Sequence, residues 1–544
     1  MIRTAKQPIN YLWQLSAGQR LRILFSCMIG ILHVSLTLGF IYTSKIVIDI
    51  SSGAQEGDLW VWGSYMVVLL FLQIICGGID TWISTRISIE SGNALRHRLF
   101  SRLLQSRWNE LERFHTGDIV NRIEQDTTAI VELLTSSIPT VLVASIQLLA
   151  AFLFFCSLDS SLPWILVALV PVFFIASRFY TRKMKRYTTE VRRSDSNVQS
   201  IIQESLQHRT VIKTLEQSNH HIEKLDSLQD RLCEQVYTRT RFSISTRLLA
   251  SLAFSGGYLI VFLWGAVRMS IGEITFGSMT AFLQLVGKIQ QPAVGLSRLL
   301  PSFINALTAI ERLQELENLP HEELKERILF DHTPDLILRN VTFSYTTTES
   351  KTVLKHFSAT FPAGSSTAIL GETGAGKTTL IRLLLALAQP QEGEILLKDE
   401  RKTIPVSINT RSNFIYVPQG NSLFSGTIRD NLLMGNPQAT ETELKQVLLT
   451  AAAEFVFDFP KGINSTINES GGGLSEGQAQ RIAIARALVR PGRILLFDES
   501  TSALDTDTEK RLLINLKRMH VGKTFIFITH HKALANACQQ TYQL

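Results

Sequence analysis

The sequence predicts a two-domain protein, in which an all-α domain with six membrane-spanning helices precedes an α/β domain. Long apolar runs fill the first three hundred residues, whereas short β-branched runs alternate with helical stretches and glycine turns near the carboxyl end. At 544 residues the chain is too long for a single core. The predicted boundaries are 1–310 for the helical domain, 311–335 for a charged, proline-containing linker, and 336–544 for the α/β domain.

Six apolar runs are long enough to cross a membrane. A helix needs about 20 apolar residues to span a hydrocarbon core of about 30 Å. The run from Val141 to Phe155 is apolar on every face, which favours a membrane helix over a buried helix of a soluble all-α protein. The predicted spans are 22–46, 59–80, 134–157, 161–180, 246–268 and 277–300.

The distribution of lysine and arginine predicts the orientation of these spans. The long segments 81–133 and 181–245 are rich in basic residues, whereas the short connections between the other spans carry almost none. Because cytoplasmic loops collect positive charge, both termini are predicted to lie in the cytoplasm. The net charge of +7 and the pI near 9.1 therefore reflect membrane topology rather than nucleic-acid binding.

Three other features of the sequence complete this prediction. The five cysteines are scattered and predict neither disulfides nor a zinc site. The first twenty residues lack a signal-peptide pattern, so the first span is expected to be an uncleaved anchor. The segments 81–133 and 181–245 contain no proline and could form helical hairpins that turn at 116–122 and 204–214, although simple solvated loops remain the alternative.

A glycine-rich phosphate-binding loop follows the apolar run Thr367–Leu370. Its pattern of two glycines, a lysine and a hydroxyl residue is the P-loop pattern, and a helical stretch follows it. The backbone N–H groups can surround phosphate oxygens, Lys377 supplies a cation, and the Thr378 hydroxyl can ligate Mg²⁺. The residues predicted to bind ATP here are Gly371, Glu372, Thr373, Gly374, Ala375, Gly376, Lys377, Thr378 and Thr379.

Two acidic residues end a second apolar run, Ile494–Phe497. A buried strand would deliver Asp498 and Glu499 to the carboxyl edge of a parallel sheet. Asp498 is predicted to hold Mg²⁺, and Glu499 to orient and polarise the water that attacks the terminal phosphate. An isolated acidic pair is more often a loop or a helix cap, but the P-loop upstream favours the catalytic interpretation.

The stretch Leu474–Gln478 resembles the signature motif of the ATP-binding cassette (ABC) transporters, and the six spans resemble the membrane domain of an exporter-type half-transporter. The resemblance implies that Ser475, Gly477 and Gln478 contact nucleotide. It further implies that Tyr345 stacks on adenine, Gln419 senses Mg²⁺ and the attacking water, and His530 binds the γ phosphate. It also implies that Glu469 contacts the membrane domain and that residues 502–505 link two sites across a dimer.

Two features depart from the family pattern. Glu476 stands where glycine is commoner in the signature, which adds a negative charge near the expected γ phosphate. The chain ends fourteen residues after His530, whereas family members usually continue, so the resemblance leaves the edge of the sheet in question.

The resemblance predicts an ATP hydrolase that drives export, or flipping, of a substrate across the cytoplasmic membrane of a bacterium. A single cassette implies a second half-transporter, in a homodimer or a heterodimer. An ATP-gated regulatory or channel subunit is the alternative, and the spans argue against a soluble protein acting on nucleic acid. Small-molecule, lipid and peptide cargo all remain open, because the polar residues of the last span fit either a watery cavity or helix packing: Gln284, Lys288, Gln290 and Gln291.

Overall fold

Two compact units make up the chain in its computed structural model. The structure describes residues 6–158, 162–323, 326–345, 352–372, 374–468, 473–519 and 521–544. The first unit comprises Met1–Ser101 and Thr116–Asn318, and the second comprises Arg102–His115 and Leu319–Leu544. The second unit therefore includes a short insert from the first half of the chain, which we call the turn segment, Arg102–His115.

The first unit is built from long helices. Its described residues include parts of ten helices, and two π-helical segments, Arg122–Asp126 and Leu133–Ser137, interrupt the run from α5 to α7. The helices are α1 Lys6–Leu15, α2 Arg20–Ser51, α3 Leu59–Leu104, α5 Thr116–Asn121, α6 Thr127–Glu132, α7 Ile138–Leu158, α8 Leu162–Gln207, α9 Arg209–Thr214, α10 Ser218–Ser270 and α11 Phe276–Glu317. The last residues of α3, together with α4 Trp108–Leu111, lie in the turn segment.

In the described residues, three helical runs are long and apolar enough to cross a membrane: Arg20–Ser51, Leu59–Leu104 and Thr116–Leu158. They contain the first three predicted spans. The other three predicted spans lie on α8, α10 and α11 and stay predictions; side chains 161–179 of the fourth lie outside the described residues.

The two predicted hairpins differ in how closely they follow the sequence prediction. The first was expected to turn at 116–122, but Thr116–Asn121 is helical and the chain turns earlier, within the turn segment. The expected turn at 116–122 was therefore wrong; the ion pair between Asp118 and Arg122, one helical turn apart at 2.9 Å, adds a few tenths of a kcal/mol to the helical arrangement. The second hairpin has its helix breaks at His208 and at 215–217, beside the expected turn.

A buried carboxylate connects α2 to the start of α11. Asp49 is 1% exposed, forms an ion pair with Lys45 at 3.2 Å, and accepts a hydrogen bond from the Gly277 N–H at 2.9 Å. Negative charge at the first turn of a helix is favourable because N–H groups there have no helical partner.

One of the polar residues predicted in the last span takes part in helix packing. The Gln284 side chain in α11 donates to the Ser44 hydroxyl in α2 at 3.5 Å.

All the strands among the described residues lie in the second unit. Their bounds are β1 Asp335–Phe343, β2 Leu354–Phe361, β3 Ser366–Leu370, β4 Glu392–Lys398, β5 Thr403–Pro405, β6 Phe414–Val417, β7 Gly426–Thr427, β8 Thr466–Ile467, β9 Ile494–Asp498, β10 Thr524–Ile528 and β11 Gln540–Gln543. Its other helices are α12 Lys377–Leu384, α13 Ile428–Leu433, α14 Glu441–Thr450, α15 Glu476–Leu488, α16 Thr506–Met519 and α17 Lys532–Asn536.

Two larger sheets organise this unit. The strands β2, β1, β4 and β5 form an antiparallel sheet, and β11, β3, β10, β9 and β6 form a parallel sheet in that order. The strands β9 and β10 are buried along their whole length, as expected for the centre of a parallel sheet covered on both faces. The strand β11 pairs with β3, and the Tyr542 hydroxyl bonds to both the N–H and the carbonyl of Thr360, so the last residues close this edge.

The close contact between α2 and α11 predicts a severe effect of Gly277→Ala. A Cβ atom at Gly277 would lie 2.3 Å from the Lys45 carbonyl oxygen and 2.5 Å from Asp49 Oδ1. Relieving this overlap costs about 1–3 kcal/mol or more, so the melting temperature of the purified protein should fall by several degrees. Gly287→Ala in the same helix is the matched control, because nothing lies within 4 Å of its added methyl group. Equal melting temperatures for the two variants would contradict this packing.

Candidate functional site

The parallel sheet brings the predicted catalytic residues to one edge. The strand β10 lies between β3 and β9, with Ile528 opposite Ile369 on one side and opposite Asp498 on the other. The P-loop follows β3, Glu499 follows β9, and His530 follows β10. Because the three strands are parallel and in register, these groups meet at their carboxyl ends.

The P-loop has the strand, loop and helix around it that the sequence predicts. Gly374 and Gly376 adopt φ angles of +88° and +99°, which only glycine reaches without strain. This conformation lets Gly376 start α12, so that Lys377 is its first residue. The Thr378 side chain is exposed at the mouth of the loop. Thr373 lies outside the described residues.

Glu499 is the centre of the charged cluster. Lys377 Nζ lies 2.7 Å from Glu499 Oε1 and also donates to the Gly371 carbonyl at 3.1 Å. Gln419 Nε2 donates to the other carboxylate oxygen at 2.9 Å, and His530 Nδ1 lies 3.7 Å from Oε1. The four residues predicted to be catalytic are therefore in contact around one carboxylate.

The backbone of Glu499 is unusual for its residue type. Its φ angle is +44°, in the left-handed region that a glutamate seldom adopts. The Glu499 N–H donates to the Ile528 carbonyl at 2.9 Å, which extends the bonding between β9 and β10 by one residue. Backbone strain of this kind costs about 1–3 kcal/mol and is typical of functional sites.

The two neighbouring carboxyl groups have opposite pKa shifts. Burial raises the pKa of Asp498, and a hydrogen bond from the Tyr416 hydroxyl at 3.3 Å only partly offsets this effect. The hydrogen bond from Lys377 lowers the pKa of Glu499, against a smaller effect of burial. Glu499 is therefore firmly ionised at neutral pH, whereas Asp498 is the more easily protonated of the two.

Tyr345 lies beside the P-loop helix rather than in the charged cluster. Its side chain is 46% exposed, so part of the ring is accessible to a ligand. Its hydroxyl lies 3.0 Å from Thr379 Oγ1 and accepts a hydrogen bond from Arg382 Nη1 at 2.8 Å. Both partners belong to α12, so the orientation of the tyrosine is tied to the helix that carries Lys377.

The signature residues form the start of α15. Ser475 caps this helix, since its hydroxyl accepts the Gln478 N–H at 3.2 Å while the Gln478 side chain accepts the Ser475 N–H at 3.0 Å. Glu476 lies in the first helical turn and is exposed, where its charge is favourable to the helix dipole. Gly477 faces the backbone of Ala503. Glu469 lies outside the described residues.

Three contacts of the site were not predicted from sequence. They involve the hydroxyl of Tyr416, the guanidinium of Arg382 and the backbone of Ala503. Tyr416 could have been found, because it lies on a strand that ends just before Gln419 and is therefore a candidate neighbour of Asp498. Arg382 lies five residues after Lys377 on a helix, and no simple pattern distinguishes its side chain from a solvated one.

The donor set of the site fits a nucleotide with Mg²⁺. Magnesium prefers oxygen ligands and commonly uses one or two protein groups together with substrate phosphates. The Thr378 hydroxyl, the Asp498 carboxylate and the amide oxygen of Gln419 are such groups. The Gln419 amide nitrogen is already bonded to Glu499, so its oxygen is directed away from that carboxylate.

Two family models match the chain. The model described as "ABC transporter transmembrane region" matches residues 23–293, and the model described as "ABC transporter" matches residues 354–502. Together they cover more than three quarters of the sequence.

The chain is also similar to individual proteins along most of its length. It is 29% identical to an export ATP-binding/permease protein of Rickettsia conorii, over 86% of this chain and 81% of the relative. It is 29% identical to mitochondrial ATP-binding cassette sub-family B member 10 of Mus musculus, over 93% of this chain and 73% of the relative. A structure of a bacterial Atm1-family ABC exporter with ATP bound has the same fold, with a TM-score of 0.81 at 23% identity, and covers 97% of this chain and 94% of its own.

The contact between the start of α15 and the 502–505 loop predicts the effect of Gly477→Ala. The added Cβ atom would lie 2.8 Å from the Ala503 carbonyl oxygen, so the loop or the helix must shift. We expect a loss of about 1–3 kcal/mol in the stability of the second unit, measured by thermal unfolding. The adjacent variant Glu476→Ala removes only an exposed charge and should cost a few tenths of a kcal/mol. If Gly477→Ala were no more damaging than Glu476→Ala, the contact would not constrain the loop.

Proposed function

We propose that this chain, which belongs to the ATP-binding cassette transporters, works as a homodimer in the cytoplasmic membrane of a bacterium, with its two cassettes in the cytoplasm. It is an integral membrane protein that couples ATP hydrolysis to export. The observation that carries the proposed site is the convergence of Lys377, Gln419 and His530 on Glu499 at the edge of the parallel sheet.

The contacts support a proposed role in hydrolysis for each residue. Lys377 is held by the Gly371 carbonyl at the mouth of the P-loop, where its cation binds the β and γ phosphates. Glu499 is ionised and can orient and polarise the attacking water, and Gln419 holds one of its oxygens in place. His530 is exposed beside Glu499 and can donate a hydrogen bond to the γ phosphate.

The proposed metal is Mg²⁺, held by Thr378, Gln419 and Asp498. When bound, the metal neutralises charge that develops on the β and γ phosphates. The buried Asp498 supplies this position with a carboxylate that the Tyr416 hydroxyl keeps oriented.

Tyr345 offers its exposed ring to the adenine, and the backbone of the P-loop offers its N–H groups to the phosphates.

The dimer explains why one chain carries both the P-loop and the signature. Ser475, Gly477 and Gln478 of one copy would close over ATP on the P-loop of the other, so two identical copies form two complete sites. Closure then shifts the membrane helices from an inward-facing to an outward-facing arrangement, because ATP binds the closed state more tightly than the open one. Hydrolysis and product release reset the cycle.

Replacement of Glu499 tests the proposed site. Glu499→Gln keeps the size of the side chain but cannot polarise water, so kcat for ATP should fall by about 100-fold or more while ATP binding is retained. Steady-state hydrolysis by protein in lipid nanodiscs measures the first quantity, and a fluorescent ATP analogue measures the second. Glu441→Gln, an exposed change on α14, is the control. Turnover within a few-fold of wild type in Glu499→Gln would refute the assignment of the base.

The pKa of Asp498 predicts a shift in the pH profile. Asp498 must be ionised to hold Mg²⁺, so hydrolysis is lost as the pH falls through its raised pKa. Tyr416→Phe removes a hydrogen bond that stabilises the ionised form, which raises this pKa further. The acidic limb of the kcat/KM profile, which reports the enzyme before nucleotide binds, should move up by about half to one pH unit, given about 0.5–1.5 kcal/mol for the bond.

Tyr542→Phe is the matched control for this experiment, because that hydroxyl bonds only to the Thr360 backbone in the contacts that the structure describes. A profile of Tyr416→Phe that coincides with the Tyr542→Phe profile would contradict the proposed link between Tyr416 and Asp498.

A further inference from the structure

The turn segment reaches the proposed adenine-binding tyrosine through a single arginine. Arg382 donates two hydrogen bonds to Glu112, from Nη2 to Oε1 at 2.6 Å and from Nη1 to Oε2 at 3.1 Å. The same Nη1 atom donates to the Tyr345 hydroxyl at 2.8 Å. The guanidinium therefore joins a carboxylate of the turn segment to Tyr345.

This ion pair is better formed than an ordinary surface pair. A two-pronged contact between a guanidinium and a carboxylate fixes both distance and orientation. The Arg382 side chain is 22% exposed and that of Glu112 is 40% exposed, so solvent screens the pair only in part. Arg382 Cζ also lies 5.6 Å from the centre of the Tyr345 ring, close enough for its charge to be attracted to the ring face.

The turn segment is held to the rest of the second unit at a second place. Arg107 N–H donates to the Pro320 carbonyl at 2.9 Å, and Glu322 N–H donates to the Gln105 carbonyl at 2.8 Å. Glu322 in turn forms a two-pronged pair with Arg411 at 2.9 and 3.0 Å. These bonds fix the base of the segment, so Glu112 is presented to Arg382 by an ordered backbone.

The segment is also continuous with two membrane-domain helices. It begins in the last residues of α3 and ends directly before α5. Any movement of these helices that displaces Glu112 must pull on Arg382 or break the ion pair. Either change would alter the bond that orients the Tyr345 hydroxyl.

We propose that Glu112 is a positioning residue for nucleotide binding, which acts through Arg382 to hold the Tyr345 ring for the adenine and makes ATP affinity depend on the position of the turn segment. This inference rests on the proposed role of Tyr345. Because linkage is reciprocal, bound ATP stabilises the same placement of the turn segment.

The test compares nucleotide affinity with turnover in the full-length protein in lipid nanodiscs. Glu112→Gln keeps the shape of the side chain but removes its charge, so the KM for ATP and the dissociation constant of a fluorescent ATP analogue should rise about 3- to 10-fold. The kcat should stay within about twofold, because the change affects binding alone. Glu454→Gln is the matched control, since Glu454 also pairs with an arginine, Arg511, at 2.6 Å.

A second background identifies the route. In a Tyr345→Phe background, which retains the ring but lacks the hydroxyl, Glu112→Gln should add little further loss. An equal loss in both backgrounds would overturn the proposed route through the hydroxyl.

The outcomes separate this inference from the proposed function. If Tyr345→Ala weakens ATP binding but Glu112→Gln leaves KM at the wild-type value, the inference fails and the adenine site stands. If Tyr345→Ala leaves ATP binding unchanged, Tyr345 is not the adenine platform and both ideas about this residue fail.

Discussion

The parallel pairing of β3, β10 and β9 is the constraint on which the site depends. These strands are in register at their carboxyl ends, so the loops that follow them all begin at the same edge of the sheet. Burial of all of β9 and β10 makes that register costly to change, because a shift of one residue would disrupt close packing on both faces of the sheet. The core thus determines the short distances between Lys377, Glu499 and His530, although none of these three residues belongs to it.

The two carboxyl groups at this edge, Asp498 and Glu499, differ in burial and therefore in pKa. Asp498 belongs to the strand and is desolvated, whereas Glu499 is the first residue beyond it and is stabilised by Lys377. The positive φ angle of Glu499 is what separates the two environments, since it turns the chain out of the strand immediately after the buried carboxylate. One backbone conformation therefore produces one acid suited to hold a metal and one suited to act on water.

Much of the fold and the site could be predicted from sequence, because each depended on a local pattern. Uniformly apolar runs predict membrane helices, and a P-loop or an acidic strand end has a fixed position relative to its own strand. One error is local: Thr116–Asn121 was expected to turn, and it forms a helix. The omissions arise where two distant segments meet. Tyr416 and its partner Asp498 are 82 residues apart in sequence, and Arg382 and its partner Glu112 are 270 residues apart. Local sequence patterns cannot predict contacts over such separations.

The contacts of α12 give this helix two functions in one element. Its first residue carries the cation that meets Glu499, and its next turns carry Thr379 and Arg382, which hold Tyr345. In the proposed site, one rigid helix therefore holds both the phosphate end and the base end of the nucleotide. Because Arg382 also binds Glu112, the proposed route from the turn segment to the nucleotide runs through this same helix. Such a route requires only the stiffness of α12 and one two-pronged ion pair, rather than a long chain of intermediate contacts.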